Sequence, residues 1–181
     1  VNGKVLWVGI GCQRGTSAQL IEKAIQQVFK EKQLEQSAIA GIATIDNKAS
    51  EVGLVEFCQL RNLVLKSFPA EILRLVSVPN PAKITEQAMG TPSVAEAAAI
   101  LAACDIKCQT KCINEICSTH QSLKLNASSF NLTLSLPAVG VRCLVPKQIF
   151  RLEEEPGAVT VAVAQGVEKI ATVNQPLSEN S

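Results

Sequence analysis

Residues 9–25, GIGCQRGTSAQLIEKAI, place Gly9, Gly11 and Gly15 between an apolar run and a helical pattern. Glycine permits positive φ and close backbone approach, and the amides opening a helix favour a negative ligand group. The spacing G-x-G-x-x-x-G is not the dinucleotide pattern, whose third glycine comes one residue earlier. It is not a Walker loop either, because no Gly-Lys-Ser/Thr follows. A tight strand-to-helix turn and an anion seat both fit, and Arg14 favours the anion, since a guanidinium grips a carboxylate through two hydrogen bonds. Cys12 stands where a helix start would activate a thiolate. With His120 far off in the sequence, a small buried residue is the better reading of Cys12.

Two further stretches carry polar groups at element ends. TIDNKASEVGL puts Asp46 and Lys48 just after an apolar run, where ligands of open α/β sheets bind; taken alone, a solvated turn with a helix cap is the better reading. GTPSVAEAA offers Thr91, Ser93 and Glu96 at a helix start, where capping accounts for the hydroxyls. Cys104, Cys108, Cys112 and Cys117, with His120 beyond, have spacings that match neither a zinc ribbon nor an iron–sulfur run. On a helix, steps of four would align three thiols toward a soft metal, but no metal site is assigned.

The elements that must position these groups follow from composition and periodicity. The 181 residues suit one domain with a real core, 47% are apolar, and Val, Ile, Leu and Ala must build that core because only 3% are aromatic. A net charge of +1 gives no global case for nucleic acid or a membrane surface. No apolar stretch approaches the ~20 residues of a membrane span, and no signal peptide is evident. Seven cysteines, an odd number, then read as reduced thiols in a cytoplasmic protein. An initial Val reads as a piece cut from a longer chain.

Strands are expected at 4–10, 38–45, 63–67, 141–145 and 159–164. A first helix is expected after a Thr16 or Ser17 cap, with Thr16 and Gln19 at capping-box spacing and a stripe of Leu20, Ile21, Ala24, Ile25, Val28 and Phe29. A second runs roughly from Glu51 to Leu60, and Pro69 opens a helical turn. The PNP motif marks a rigid turn, Gly90 ends a short helix, and Thr91–Pro92 start another, whose Ala-rich run from Val94 to Ala103 can pack close to a neighbour. Residues 105–137 read as a polar, Cys-dotted excursion, and 174–181 as a flexible tail. Alternating strands and helices followed by paired strands predict a single three-layer α/β/α domain, residues 1–173, with a mixed central sheet of about five strands.

Taken in order, GIGCQRGTS, ATIDNKASEVGL, PNP, GTPSVAEAAAILAA, LVPKQIF and VTVAVAQG resemble the C-terminal domain of the cobalamin biosynthesis protein CbiG, the domain that stands alone as CobE. The resemblance spans roughly 130 residues, and the segment from Asp105 to Leu136, with its cysteines, departs from it. It implies a role in corrin-ring construction: opening the δ-lactone of cobalt-precorrin-5A and releasing acetaldehyde to leave cobalt-precorrin-5B. Expected partners are the cobalt-precorrin intermediate and other cobalamin-biosynthesis enzymes or N-terminal domains of the parent chain, with no nucleic acid and no membrane. No cofactor of its own is expected, since cobalt comes with the substrate.

The ring's carboxylates would meet Gly9, Gly11, Cys12, Arg14, Gly15, Thr16, Thr91 and Ser93. Asp46 or Glu96 would activate water, and Lys48 or Lys147 would steady developing charge. The three loops are expected to converge on one sheet edge. Two other readings remain: a CobE-like domain that binds a corrinoid intermediate without chemistry, and, more distantly, a metal-binding interaction domain built on the Cys excursion.

Overall fold

The computed structural model describes residues 5–74, 76, 93–104 and 141–166. The PNP turn, the short helix before Gly90, Thr91, the 105–137 excursion with Cys108, Cys112, Cys117 and His120, and the 174–181 tail lie outside the described residues.

Five strands, β1 (Leu6–Cys12), β2 (Ile39–Ile45), β3 (Val64–Phe68), β4 (Arg142–Phe150) and β5 (Val159–Gln165), form one sheet in the order β3-β2-β1-β5-β4. β1, β2 and β3 are parallel, while β5 runs antiparallel to β1 and to β4. The mixed α/β sheet expected from the sequence is therefore present.

Helices α1 (Ala18–Glu31) and α2 (Val52–Leu60) pack on one face; α3 (Ala70–Leu73) and α4 (Val94–Ala103) pack on the other. Period-two alternation divides the strands between these layers. Leu6, Val8, Ile10 and Cys12 of β1 and Val159, Val161 and Val163 of β5 join the α1/α2 core. Ala162 and Ala164 of β5 face α4. A register shift between Leu6 and Trp7 in the β1–β2 ladder lets both Ile39 and Ile42 reach the α1/α2 side.

All six residues of the α1 stripe are buried. Its cap is Ser17, whose hydroxyl accepts from Leu20 N–H at 3.1 Å. The Thr16–Gln19 capping box does not form: Thr16 is buried and donates its hydroxyl to the Gln13 carbonyl at 2.7 Å, so it closes the preceding turn instead. Glu51 likewise stands one residue outside α2, as its N-cap.

The Ala-rich α4 lies directly on the sheet. A Cβ on Gly9 would come 1.8 Å from the Ala95 carbonyl oxygen, so only glycine admits the helix backbone there. At the other end, a Cβ on Gly166 would stand 2.8 Å from the Ala103 carbonyl oxygen, and Gly166 N–H donates to Val5. α4 thus runs antiparallel to β1 and begins at the strand's carboxyl end.

Strand β4 is longer than the 141–145 expected from sequence and runs through Pro146. At the sheet edge a proline is tolerated, because its missing N–H breaks no interior ladder. The register shifts between Val145 and Gln148, and the strand continues to Phe150 through this bulge.

Candidate functional site

The carboxyl ends of the parallel strands carry the glycine loop, residues 13–17, and the turn between β2 and α2. Under them, the buried Thr44 hydroxyl donates to the Ile10 carbonyl at 2.8 Å, beyond the last ladder pair Gly9–Ala43, and ties the two strand ends. Gly15 adopts φ +78°, which favours glycine, and a Cβ there would meet nothing within 4 Å. Its N–H donates to Glu51 Oε2 at 3.3 Å. Lys48, closing the one-turn 3₁₀ helix Asp46–Lys48, pairs with Glu51 Oε1 at 3.2 Å, with side chains 18% and 15% exposed.

The Gly15 amide, then Lys48 and the charge of nearby Arg14, hold the Glu51 carboxyl below its ordinary range. Gly53 makes this meeting possible, since a Cβ there would lie 2.0 Å from the Thr16 carbonyl oxygen. The β4–β5 connection completes the corner. Gln13 N–H donates to Ala158 at 3.1 Å, Ser17 Oγ donates to Glu155 Oε2 at 3.2 Å, and Gly157 sits against Thr16 Oγ1.

A second polar station lies across α4 and β4. Glu96 is fully buried, and its Oε1 accepts from the Lys147 backbone N–H at 2.7 Å. The β4 bulge turns that amide out of the ladder, and the carboxylate receives it. Burial first, then the negative Glu96, pushes the Cys143 thiol up to about 11. Ser93 is the α4 N-cap residue by position, buried, and makes no side-chain cap bond.

Residues 6–164 match the family described as cobalamin synthesis G C-terminus. The chain belongs to this family. Its function lies in cobalamin biosynthesis. A cobalt-precorrin-5A hydrolase of Priestia megaterium is 33% identical over 98 residues, which are 54% of this chain and 26% of that protein. The chain therefore spans about a quarter of the length of that relative. Among solved structures, CobE, a protein from the cobalamin biosynthetic pathway, superposes with a TM-score of 0.59 at 21% identity, covering 90% of this chain and 91% of CobE. The cobalamin biosynthesis protein chiG of Agrobacterium tumefaciens gives 0.53 at 23% identity, covering 91% of this chain and 100% of that one. These two likenesses establish the fold.

In this cobalamin synthesis G domain, the glycine loop and the Asp46–Glu51 turn are brought into contact. Arg14 and Asp46 are exposed there and Lys48 is partly covered. Gly11 lies on the α4 face of β1, where a Cβ would meet only the Thr160 side chain, at 3.6 Å. Gly9 is covered by α4. Cys12 is 9% exposed and packs into the α1/α2 core, where burial raises its thiol pKa, with Lys48 lowering it and Glu51 raising it; this is a packed thiol, not an activated one.

The beginning of α4 reaches the same end of the sheet through the Gly9–Ala95 contact, and there Glu96 holds the Lys147 amide of β4. A cavity of about 400 Å³ bounded by Glu22, Ser37, Phe57 and Arg61 lies at the opposite end, at the start of β2 and the end of α2, remote from both stations. Among the described residues, no group of three or more His, Cys, Asp or Glu could hold a metal ion, and no helix is long and apolar enough to cross a membrane.

Sequence reasoning missed Glu51, Gly53, Glu155 and Gly157. The available signals were Glu51 three residues after Lys48, and Pro156–Gly157 as a turn pair.

Proposed function

We propose that this chain is the C-terminal domain of a cobalt-precorrin-5A hydrolase, which opens the ring δ-lactone and releases acetaldehyde to give cobalt-precorrin-5B. One observation carries the reading beyond family membership. At the carboxyl end of the sheet, the Gly15 N–H, the Lys48 ammonium and the Arg14 charge act together on a carboxylate. The substrate is a macrocycle rimmed with acetate and propionate groups, so a corner that stabilises carboxylates suits it. Gly11 and the α4 opening at Ser93 would form the adjoining wall.

Asp46 is the better candidate for the base that activates water, because it is exposed at this corner. Glu96, fully buried against the Lys147 amide, is better read as the residue that positions β4 and with it the Lys147 side chain. The domain brings no cofactor of its own, cobalt arriving with the ring. Its partners are the cobalt-precorrin intermediate and the enzymes or domains that supply and receive it, and its compartment is the cytoplasm.

The test is incubation with cobalt-precorrin-5A, alone and together with the remaining part of the Priestia megaterium relative, with acetaldehyde measured. Acetaldehyde that depends on this chain and falls in Asp46→Asn supports the reading. Saturable corrinoid binding with no acetaldehyde under either condition assigns a binding domain instead.

A further inference from the structure

We propose that Glu51 is a resident carboxylate occupying a ligand's seat, and that a carboxylate of the incoming ligand replaces it on Gly15 N–H and Lys48, beside Arg14. The identity of the ligand as a corrinoid rests on the functional reading above; the seat itself rests on geometry.

Glu51 is the N-cap residue of α2, where a polar side chain ordinarily folds back onto the amides of its own helix. Here it makes no side-chain cap bond, and the carboxylate reaches instead to Gly15, 36 residues earlier in the chain. Both of its contacts are long for charge-assisted hydrogen bonds, 3.3 Å to the Gly15 N–H and 3.2 Å to Lys48 Nζ, against ~2.7–2.9 Å for tight ones. The carboxylate is thus held in a suitable field without being locked.

Gly15 itself has open space where a side chain would stand, so a ligand has room to approach its amide from outside the fold. Glu51 is joined to the α2 start by flexible methylenes and can swing toward solvent without moving the helix. An entering carboxylate would recover the same N–H and the same ammonium, and adds Arg14, whose exposed guanidinium is free to close on a planar acid. The exchange selects for a ligand that carries its own negative group: a neutral or esterified ring would have to leave Glu51 in place.

The experiment titrates the protein calorimetrically with cobyrinic acid, a corrinoid bearing free carboxylates, and with its fully methyl-esterified form. Glu51→Ala opens the seat and should bind the acid more tightly by on the order of tenfold, the gain expected when a seat vacated about a tenth of the time becomes permanently open. Glu51→Gln, which keeps the side-chain shape and loses the charge, should gain in the same direction by less. Arg14→Ala and Lys48→Ala should bind the acid more weakly, and the ester should not distinguish Glu51→Ala from the parent protein. Equal or weaker acid binding in both Glu51 variants, with circular dichroism unchanged, would overturn the proposal.

Should no form of the protein bind the acid, the corrinoid reading fails while the seat is decided separately. In ¹H–¹⁵N spectra the Gly15 amide should shift on titration with acetate in Glu51→Ala, and require more acetate in the parent protein. An unmoved Gly15 amide in Glu51→Ala sinks the seat.

Discussion

Glu51 and Glu96 each accept a hydrogen bond from a backbone N–H on a distant element, yet they sit in opposite surroundings. Glu96 is fully buried, at 2.7 Å from the Lys147 amide that the β4 bulge releases. Glu51 keeps 15% of its side-chain surface exposed, at 3.3 Å from Gly15 and beside two cations. A carboxylate taken fully out of water must keep its partners, because nothing replaces them. One at a wet rim can trade a protein donor for water or for another ligand. The first builds the fold, and the second has the properties of a site. Substitutions can break that division, most severely where the packing is tightest.

The largest effect should come from Gly9→Ala. Its methyl group would stand 1.8 Å from the Ala95 carbonyl oxygen, and that oxygen belongs to helix backbone, so α4 as a whole must move off β1. Destabilisation of about 3 kcal/mol or more is expected from such overpacking, read as a lower urea midpoint. Near-parent stability would mean that α4 adjusts easily and that Gly9 is not there for packing.

Glu96→Ala comes next. It leaves the Lys147 amide without this acceptor inside the protein and should lower stability by about 2–3 kcal/mol, whereas Glu96→Gln keeps an acceptor and should lose about half as much. In both variants the β4 amides of Val145, Lys147 and Gln148 should exchange faster with deuterium. Unaltered exchange there would remove the positioning role.

Most of the layer structure was legible in the sequence. Runs such as LWVGI and VTVAVA place β1 and β5 to within about two residues because β-branched residues bounded by glycine or proline leave little choice. The α1 stripe was equally clear. What escaped depended on contacts that no local window holds. Glu51 has meaning only beside Gly15, Glu155 only beside Ser17, 138 residues away, and Gly53 only where α2 presses on the Thr16 carbonyl. Thr16 failed as a capping-box residue for the same reason, since burial under Gly157 decided its partner. Gly9, read as part of an anion loop, is primarily where a helix backbone meets a strand.

At alkaline pH a moderate effect is expected from the thiols. Burial raises Cys58 from 9.0 to about 11, and burial with Glu96 does the same to Cys143. A raised folded-state pKa contributes stability that is complete below the unfolded value and lost as pH rises through the folded one. The melting temperature should therefore fall between pH 9 and about 11. Cys143→Ser, which removes one of these thiols, should flatten the decline, and an identical slope in that variant would exclude Cys143 as a source.

The smallest effect on stability is expected from Glu51→Gln, and it tests the comparison most directly. Gly15, Lys48 and Arg14 lower the Glu51 pKa from 4.5, so its contribution is present above 4.5 and disappears as pH falls through the folded value. At pH 7 the variant should lose little, because a rim contact is mostly replaced by water. Its melting temperature should then fall less steeply than the parent's on the acid side of 4.5, since one of the carboxylates whose protonation destabilises the fold is gone. Glu155→Gln should behave alike, as Lys23 and Ser17 lower that carboxyl in the same way. If Glu51→Gln instead unfolded as readily as Glu96→Ala at neutral pH, the two carboxylates would be equally structural, and the seat on Gly15 would belong to the fold and not to a ligand.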